Sequence, residues 1–327
     1  MKRFMPIASL APLLIGGVLA LYAPAVDAAQ GDSAARTGKQ RQRTPNTLVC
    51  VFDYRGGEGT ADPVLPVGGI HRGKWLAGRY WRGKLPRRAK LTVYSLTQGP
   101  VGSLRVTGIA PWQGMLELNL FDGFKGEWRL HAKGDLSRIM GVGMDASVQP
   151  HDFVAALWRR DGSEVRWSKA TLLDRGQPSY RKIARDYVGS RWMRDYLASH
   201  GLPESVLDHT QIVQMLSVDL DGDKRDEVLM SVYWESPDLE TVELEARNYL
   251  LMVKTLATGE RKVVALANHD QCILRHQEQV IGCADIDNDG RAEVITVYDD
   301  DTPTEAFHIY RSDENREVAG YKIIYGE

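Results

Sequence analysis

Two short acidic segments constrain this chain more than any other feature. Residues 218–229 read VDLDGDKRDEVL and residues 284–295 read ADIDNDGRAEVI, at an offset of 66 residues. Each places Asp at loop positions 1, 3 and 5 (Asp219, Asp221, Asp223; Asp285, Asp287, Asp289) and Glu at position 9 (Glu227; Glu293). Short apolar runs flank both in the same order, over 211–217, 227–233, 248–255 and 262–267, then 279–283, 293–298, 306–311 and 321–325. Runs of this length and alternation predict strands, so the repeat predicts two four-stranded units.

The loop chemistry follows from the spacing. Oxygens at positions 1, 3 and 5 of a tight turn converge on one point. A main-chain carbonyl at position 7 (Arg225; Arg291) and the carboxylate at position 9 close the shell. Hard oxygen ligands in that number suit Ca²⁺, which takes six to eight at ~2.3–2.6 Å, better than Mg²⁺. Four carboxylates in so short a loop repel one another strongly without a cation. The plainer alternative is an acidic hairpin turn in which Asp and Gly only supply turn geometry. Two such loops at equivalent places favour two metal sites.

These loops resemble the FG-GAP or VCBS repeat of integrin-type β-propellers and many secreted bacterial proteins, over residues 211–327. The resemblance implies propeller-like blades and binding of a ligand or partner rather than one particular reaction. Two blades fall short of the four that a closed propeller needs, so a partial propeller is expected. Gly290 stands where the family pattern has a left-handed residue, and Lys224 stands there in the first loop. A non-glycine residue at positive φ costs on the order of 1 kcal/mol, so the second Ca²⁺ site is expected to be the stronger.

The chain begins with Lys2 and Arg3, continues with an uncharged apolar stretch over residues 5–25, and reaches small residues at Val26 and Ala28. This is the pattern of a cleaved signal peptide over residues 1–28. An exported, periplasmic or secreted protein is expected, with no membrane insertion after cleavage. Residues 29–46 are Gln-, Arg- and Ser-rich and read as a flexible basic tail.

Charge divides the rest. Residues 47–175 hold 19 Lys+Arg against 12 Asp+Glu, whereas residues 205–327 hold 11 against 26. The whole-chain net charge of −2 therefore hides two opposed halves. Apolar or alternating runs at 48–52, 90–94, 103–106, 115–120 and 153–158 predict a β-sandwich-like domain over 47–175. Within it Arg72, Lys74, Arg79, Arg82, Lys84, Arg87, Arg88 and Lys90 are interleaved with Trp75, Tyr80 and Trp81. This stretch is read first as a solvated strand face with its aromatics buried opposite. Export argues against nucleic acid, and a cell-surface glycan is the alternative ligand. Tyr180, Ile183, Ala184, Tyr187, Val188, Trp192, Met193, Tyr196 and Leu197 recur at helical spacing and predict a linking α-helix between the domains, over 176–204.

The expected fold class is mainly β: a sandwich-like domain, a linking helix and a pair of propeller-like blades. The eight His are scattered, and no metalloprotease, nucleophile-elbow, P-loop or dinucleotide motif occurs, so no catalytic residue is assigned. A calcium-binding interaction protein with an unknown protein or glycan partner is expected. An extracellular hydrolase or glycan-binding protein that uses the repeats as a scaffold is the alternative. Cys272 and Cys283 flank a turn centred near residue 277, which predicts a cross-strand disulfide, with Cys50 left as a buried thiol.

Overall fold

The computed structural model describes residues 46–52, 64–111, 128–134, 154–173, 181–182, 188–200, 210–235, 246–256, 258–272, 277–299 and 304–324. The expected signal peptide, nearly all of the tail and the strand expected over 115–120 lie outside the described residues. The fold is mainly β.

Strands β1 (Thr47–Phe52), β2 (Val64–His71), β3 (Lys74–Ala77), β4 (Lys90–Ser95), β5 (Gly99–Pro111), β6 (Trp128–Gly134) and β7 (Val154–Arg159) form one sheet in the order β1-β7-β4-β5-β6-β2-β3. β2 also pairs with β1, which closes six of these strands into an antiparallel barrel with β3 outside. The expected sandwich is therefore a closed barrel. Alternation is the same in both, and closure depends on β1 finding partners on both edges. Gly69 permits that approach, since a Cβ there would lie 2.0 Å from the Thr47 carbonyl oxygen.

The period of two sorts each strand's side chains. Leu48, Cys50, Leu91, Val93, Leu104, Val106, Leu130, Ala156 and Trp158 fill the barrel, together with Trp128 and with Trp81 from the 3-10 turn Gly78–Trp81. Their neighbours Val49, Val51, Tyr94, Ala155 and Leu157 point outward into a second core.

The repeats form two antiparallel meanders, as their alternation predicts. One is β11 (Thr210–Val218), β12 (Glu227–Glu235), β13 (Ala246–Thr255) and β14 (Arg261–Cys272). The other is β15 (Gln277–Asp285), β16 (Glu293–Asp299), β17 (Thr304–Arg311) and β18 (Arg316–Ile324). Each first strand has an edge to cover. β8 (Arg166–Trp167) pairs with β15, and β9 (Thr171–Leu172) and β10 (Arg181–Lys182) pair with β11. Three shared cores then set the layer order. The barrel packs on the β15–β18 sheet, that sheet packs on the β11–β14 sheet, and helix α1 (Val188–Ser199) covers the far face through Trp192, Tyr196 and Leu197.

The helix thus caps an outer face instead of bridging domains, and it starts later than its periodicity predicts. Residues 181–182 are drawn into an extended edge pairing with Gln211 and Ile212. The bridge is the stretch leading out of β7. Trp167 stacks on Tyr94 of the barrel (centroids 4.8 Å, 17° between planes). Gly282 makes room for it, because a Cβ there would lie 2.4 Å from the Trp167 ring. Buried Arg159 completes the junction, donating from Nε to Thr47 Oγ1 (3.3 Å) and from Nη2 to the Asp285 carbonyl (2.7 Å).

The expected disulfide is corrected as well. Cys283 is a free, buried thiol. The hairpin that would oppose the two cysteines does not form, because β14 pairs with β13 and β15 pairs with β16 and β8, in different sheets.

Candidate metal centre

Both acidic loops connect the first and second strands of their meanders, and four hydrogen bonds recur between them at the offset of 66 residues. The position-1 carboxylate accepts from the position-6 amide (Lys224 N to Asp219 Oδ2 and Gly290 N to Asp285 Oδ2, both 3.1 Å). Position 3 accepts from position 5 (Asp223 N to Asp221, 3.2 Å; Asp289 N to Asp287, 3.0 Å). Position 5 accepts from position 7 (Arg225 N to Asp223 and Arg291 N to Asp289, both 2.8 Å). The position-9 Glu reaches back to the position-2 amide (Leu220 N to Glu227, 2.9 Å; Ile286 N to Glu293, 2.8 Å). Carboxylates that accept from nearby amides favour such turns, which explains why Asp recurs at alternate positions.

The structure brings together Asp219, Asp221 and Glu227 in the first loop, and Asp285, Asp287 and Asp289 in the second. In each group one ligand oxygen per residue lies within 4.8 Å of the others. Asp223 and Glu293 fall outside these groups. Glu293 is buried and holds the loop's entry amide. For Arg225 and Arg291 the structure shows the amide as donor, and the Arg291 side chain pairs with Asp313 (3.2 Å).

Strain is distributed differently from the expectation. Lys224 does take a left-handed conformation (φ 68°), like its counterpart Gly290 (φ 96°). Position 4 is left-handed too, and there the glycine lies in the first loop (Gly222, φ 76°) and Asn288 in the second (φ 66°). Each loop therefore holds one non-glycine at positive φ. The second loop keeps the advantage only because Asn tolerates this region better than Lys.

Two features escape any reading of one segment. The loops touch: Ala292 N donates to the Leu220 carbonyl (2.6 Å), and the Arg166 guanidinium donates to the Gly290 carbonyl while lying 3.6 Å from Asp285 Oδ2. Each loop also has a cation at the same register position. Arg311 pairs with Glu293 across β16–β17, and Lys254 lies one step beyond the Val228–Val253 pair, opposite Glu227. Lys254 Nζ is 2.6 Å from Asp221; Arg311 is 3.4 Å from Asp287 and 2.7 Å from Asp289.

The electrostatics separate the two loops at position 3, whereas the position-9 Glu is raised in both, Glu227 by its burial. Burial pushes Asp221 up, but Lys254 and the Asp223 amide outweigh it and leave the carboxyl below its ordinary range. In the second loop the carboxylates are left dear to ionise. Burial, then Asp287 and Asp289, push Glu293 up to about 9. Burial and Asp289 push Asp287 up to about 6, and burial raises Asp285. Asp285 has a side chain 5% exposed, and its Oδ1 is buried without a hydrogen-bond partner. An orphaned carboxylate oxygen inside an acidic triad fits a hard cation, which would supply the missing partner.

A second polar constellation was not legible in the sequence. Glu278, fully buried between the two sheets, accepts from His269 Nε2 (2.8 Å), His308 Nδ1 (3.1 Å) and Thr296 Oγ1 (2.6 Å), while Ser231 Oγ donates to its carbonyl. Burial raises this carboxyl, but the His and Thr hydrogen bonds outweigh it and hold it at about 2. His269 comes from the other sheet, so the cluster pins the sheets together at the end opposite the acidic loops. Nothing local marks Glu278, whose partners lie 9, 18 and 30 residues away.

Comparison with family models, curated proteins and solved structures finds no match to this chain.

Proposed function

We propose that this is an exported calcium-binding interaction protein, whose meanders act as propeller-like blades and whose ions rigidify the loops that join them. Asp285, Asp287 and Asp289 would hold one ion, and Asp219, Asp221 and Glu227 the other, more weakly. The observation that carries this reading is the buried, unpartnered Asp285 Oδ1 within a triad of carboxylates. Bound Ca²⁺ would offset the repulsion that raises Asp287 and Glu293 and would loosen the hold of Lys254 and Arg311 on the loops. Because the loops are hydrogen bonded to each other and Arg159 ties Asp285 to the barrel, ordering one loop stiffens the whole junction. The partner expected on that surface is a protein or a cell-surface glycan.

Thermal melting of the chelator-treated protein with and without added Ca²⁺ tests the reading. A rise in Tm with Ca²⁺, saturating with concentration, supports it. An unchanged Tm together with no heat on calorimetric titration refutes it.

A further inference from the structure

The barrel packs on the repeats through side chains of β1, β2, β4 and β7, and among the described residues the outward side of β4, β5 and β6 carries exposed cations. No Asp or Glu occurs between Asp62 and Glu117, a stretch that holds nine Lys and Arg. On β4, β5 and β6 the side chains alternate with Leu91, Leu104 and Ala132 of the barrel core, which points Lys90, Arg105 and Lys133 outward. All three are exposed. Lys90 pairs with Arg105 across β4–β5, and Arg105 pairs with Lys133 across β5–β6. Three cations therefore stand in one row, at the strand spacing of ~4.8 Å. Like charges placed directly opposite each other destabilise a sheet. Among the described residues no carboxylate lies within ion-pair distance of any of them. Exposed Arg87 and Arg88 extend the row in the chain just before Lys90.

We infer that this row binds a linear anionic polysaccharide that carries carboxylates along its length. A row of like charges without internal partners is stabilised by an extended polyanion laid across the strands. Single-stranded nucleic acid is disfavoured, since it needs successive aromatic platforms. Among the described barrel residues Tyr80 is the one large aromatic that is mostly exposed (53%), whereas Trp81 is buried in the core. Tyr80 lies under the Arg79 guanidinium (5.0 Å) in the 3-10 turn and not on β4, β5 or β6, so among the described residues the row itself offers no series of stacking platforms. The site is independent of the acidic loops, which lie on the repeats.

The test is retention of the intact protein in affinity electrophoresis through polygalacturonate, at about 0.15 M salt to suppress weak surface attraction. Retention by polygalacturonate and none by neutral dextran is expected. The Arg105→Gln/Lys133→Gln variant, with an unchanged Tm, should bind at least tenfold more weakly. Lys262→Gln, an exposed cation on the repeats, should bind as the parent does. The proposal is overturned by absence of retention, by equal loss from Lys262→Gln, or by tighter binding to oligo-dT or to anionic lipid vesicles at the same ionic strength. Should the double variant lose its fold, the single Arg105→Gln variant at matched Tm decides, and full retention by it also overturns the proposal.

Discussion

The amide of Ala292 donates to the carbonyl of Leu220 at 2.6 Å, so the two acidic loops, 66 residues apart in sequence, meet as one hydrogen-bonded unit. Substitutions in one loop should therefore be felt in the other.

The loops differ most in their open valence. Asp285→Ala removes a buried carboxylate whose Oδ1 has no hydrogen-bond partner, whereas Asp219→Ala removes one whose two oxygens accept separately from the Gly222 and Lys224 amides. Calorimetric titration should show that Asp285→Ala removes the tighter Ca²⁺ heat. Asp219→Ala should spare it, with at most a few-fold weakening passed through the Ala292–Leu220 contact. A larger loss from Asp219→Ala contradicts this order.

Lys254 competes with any ion for Asp221. Replacing it by Met should raise first-loop Ca²⁺ affinity about tenfold, on the order of 1.4 kcal/mol. Unchanged or weaker binding in Lys254→Met would show that the lysine does not oppose the ion.

Trp167 is wedged between Tyr94 of the barrel and Gly282 of the repeats. Gly282→Ala places a methyl 2.4 Å from the ring and forces it off Tyr94. We expect a loss of about 2 kcal/mol in urea unfolding, with altered Trp fluorescence in the folded protein.

Glu278 should contribute to acid sensitivity, alongside Asp161, Asp221 and Asp313, whose carboxyls also lie below their ordinary range. The Glu278 carboxyl is held at about 2 when folded, below its ordinary 4.5. The folded state thus binds fewer protons than the unfolded one between those values. Its contribution is full above pH 4.5 and is lost as pH falls towards 2. In Glu278→Gln, stability at pH 7 should drop by about 3 kcal/mol, and the decline between pH 4.5 and 2 should flatten. A parallel acid limb in parent and variant would show that the charge is not what pins the sheets.

Backbone strain gives a separate readout. Lys224→Gly should stabilise the protein by about 1 kcal/mol by relieving a left-handed lysine. Asn288→Gly should gain less, because Asn visits that region more readily. Equal gains in chemical denaturation would remove the strain difference between the loops.

Much of the site was readable because its determinants are local. Alternation placed the strands of both repeats, and the aspartate spacing marked turns whose carboxylates accept from amides two to five residues on. The same alternation named the barrel's core residues without saying that the barrel closes. Closure, the short strands that cover β11 and β15, and the free state of Cys283 all depend on which edge finds which partner. That choice is made by contacts far apart in the chain, as Arg159 meeting Asp285 shows. The local helical pattern before Trp192 yielded to such an edge, at residues 181–182. Glu278 states the reason most directly. Its burial is offset by partners from β14, β16 and β17, and only the stacking of two sheets brings those side chains within hydrogen-bonding reach of one carboxylate.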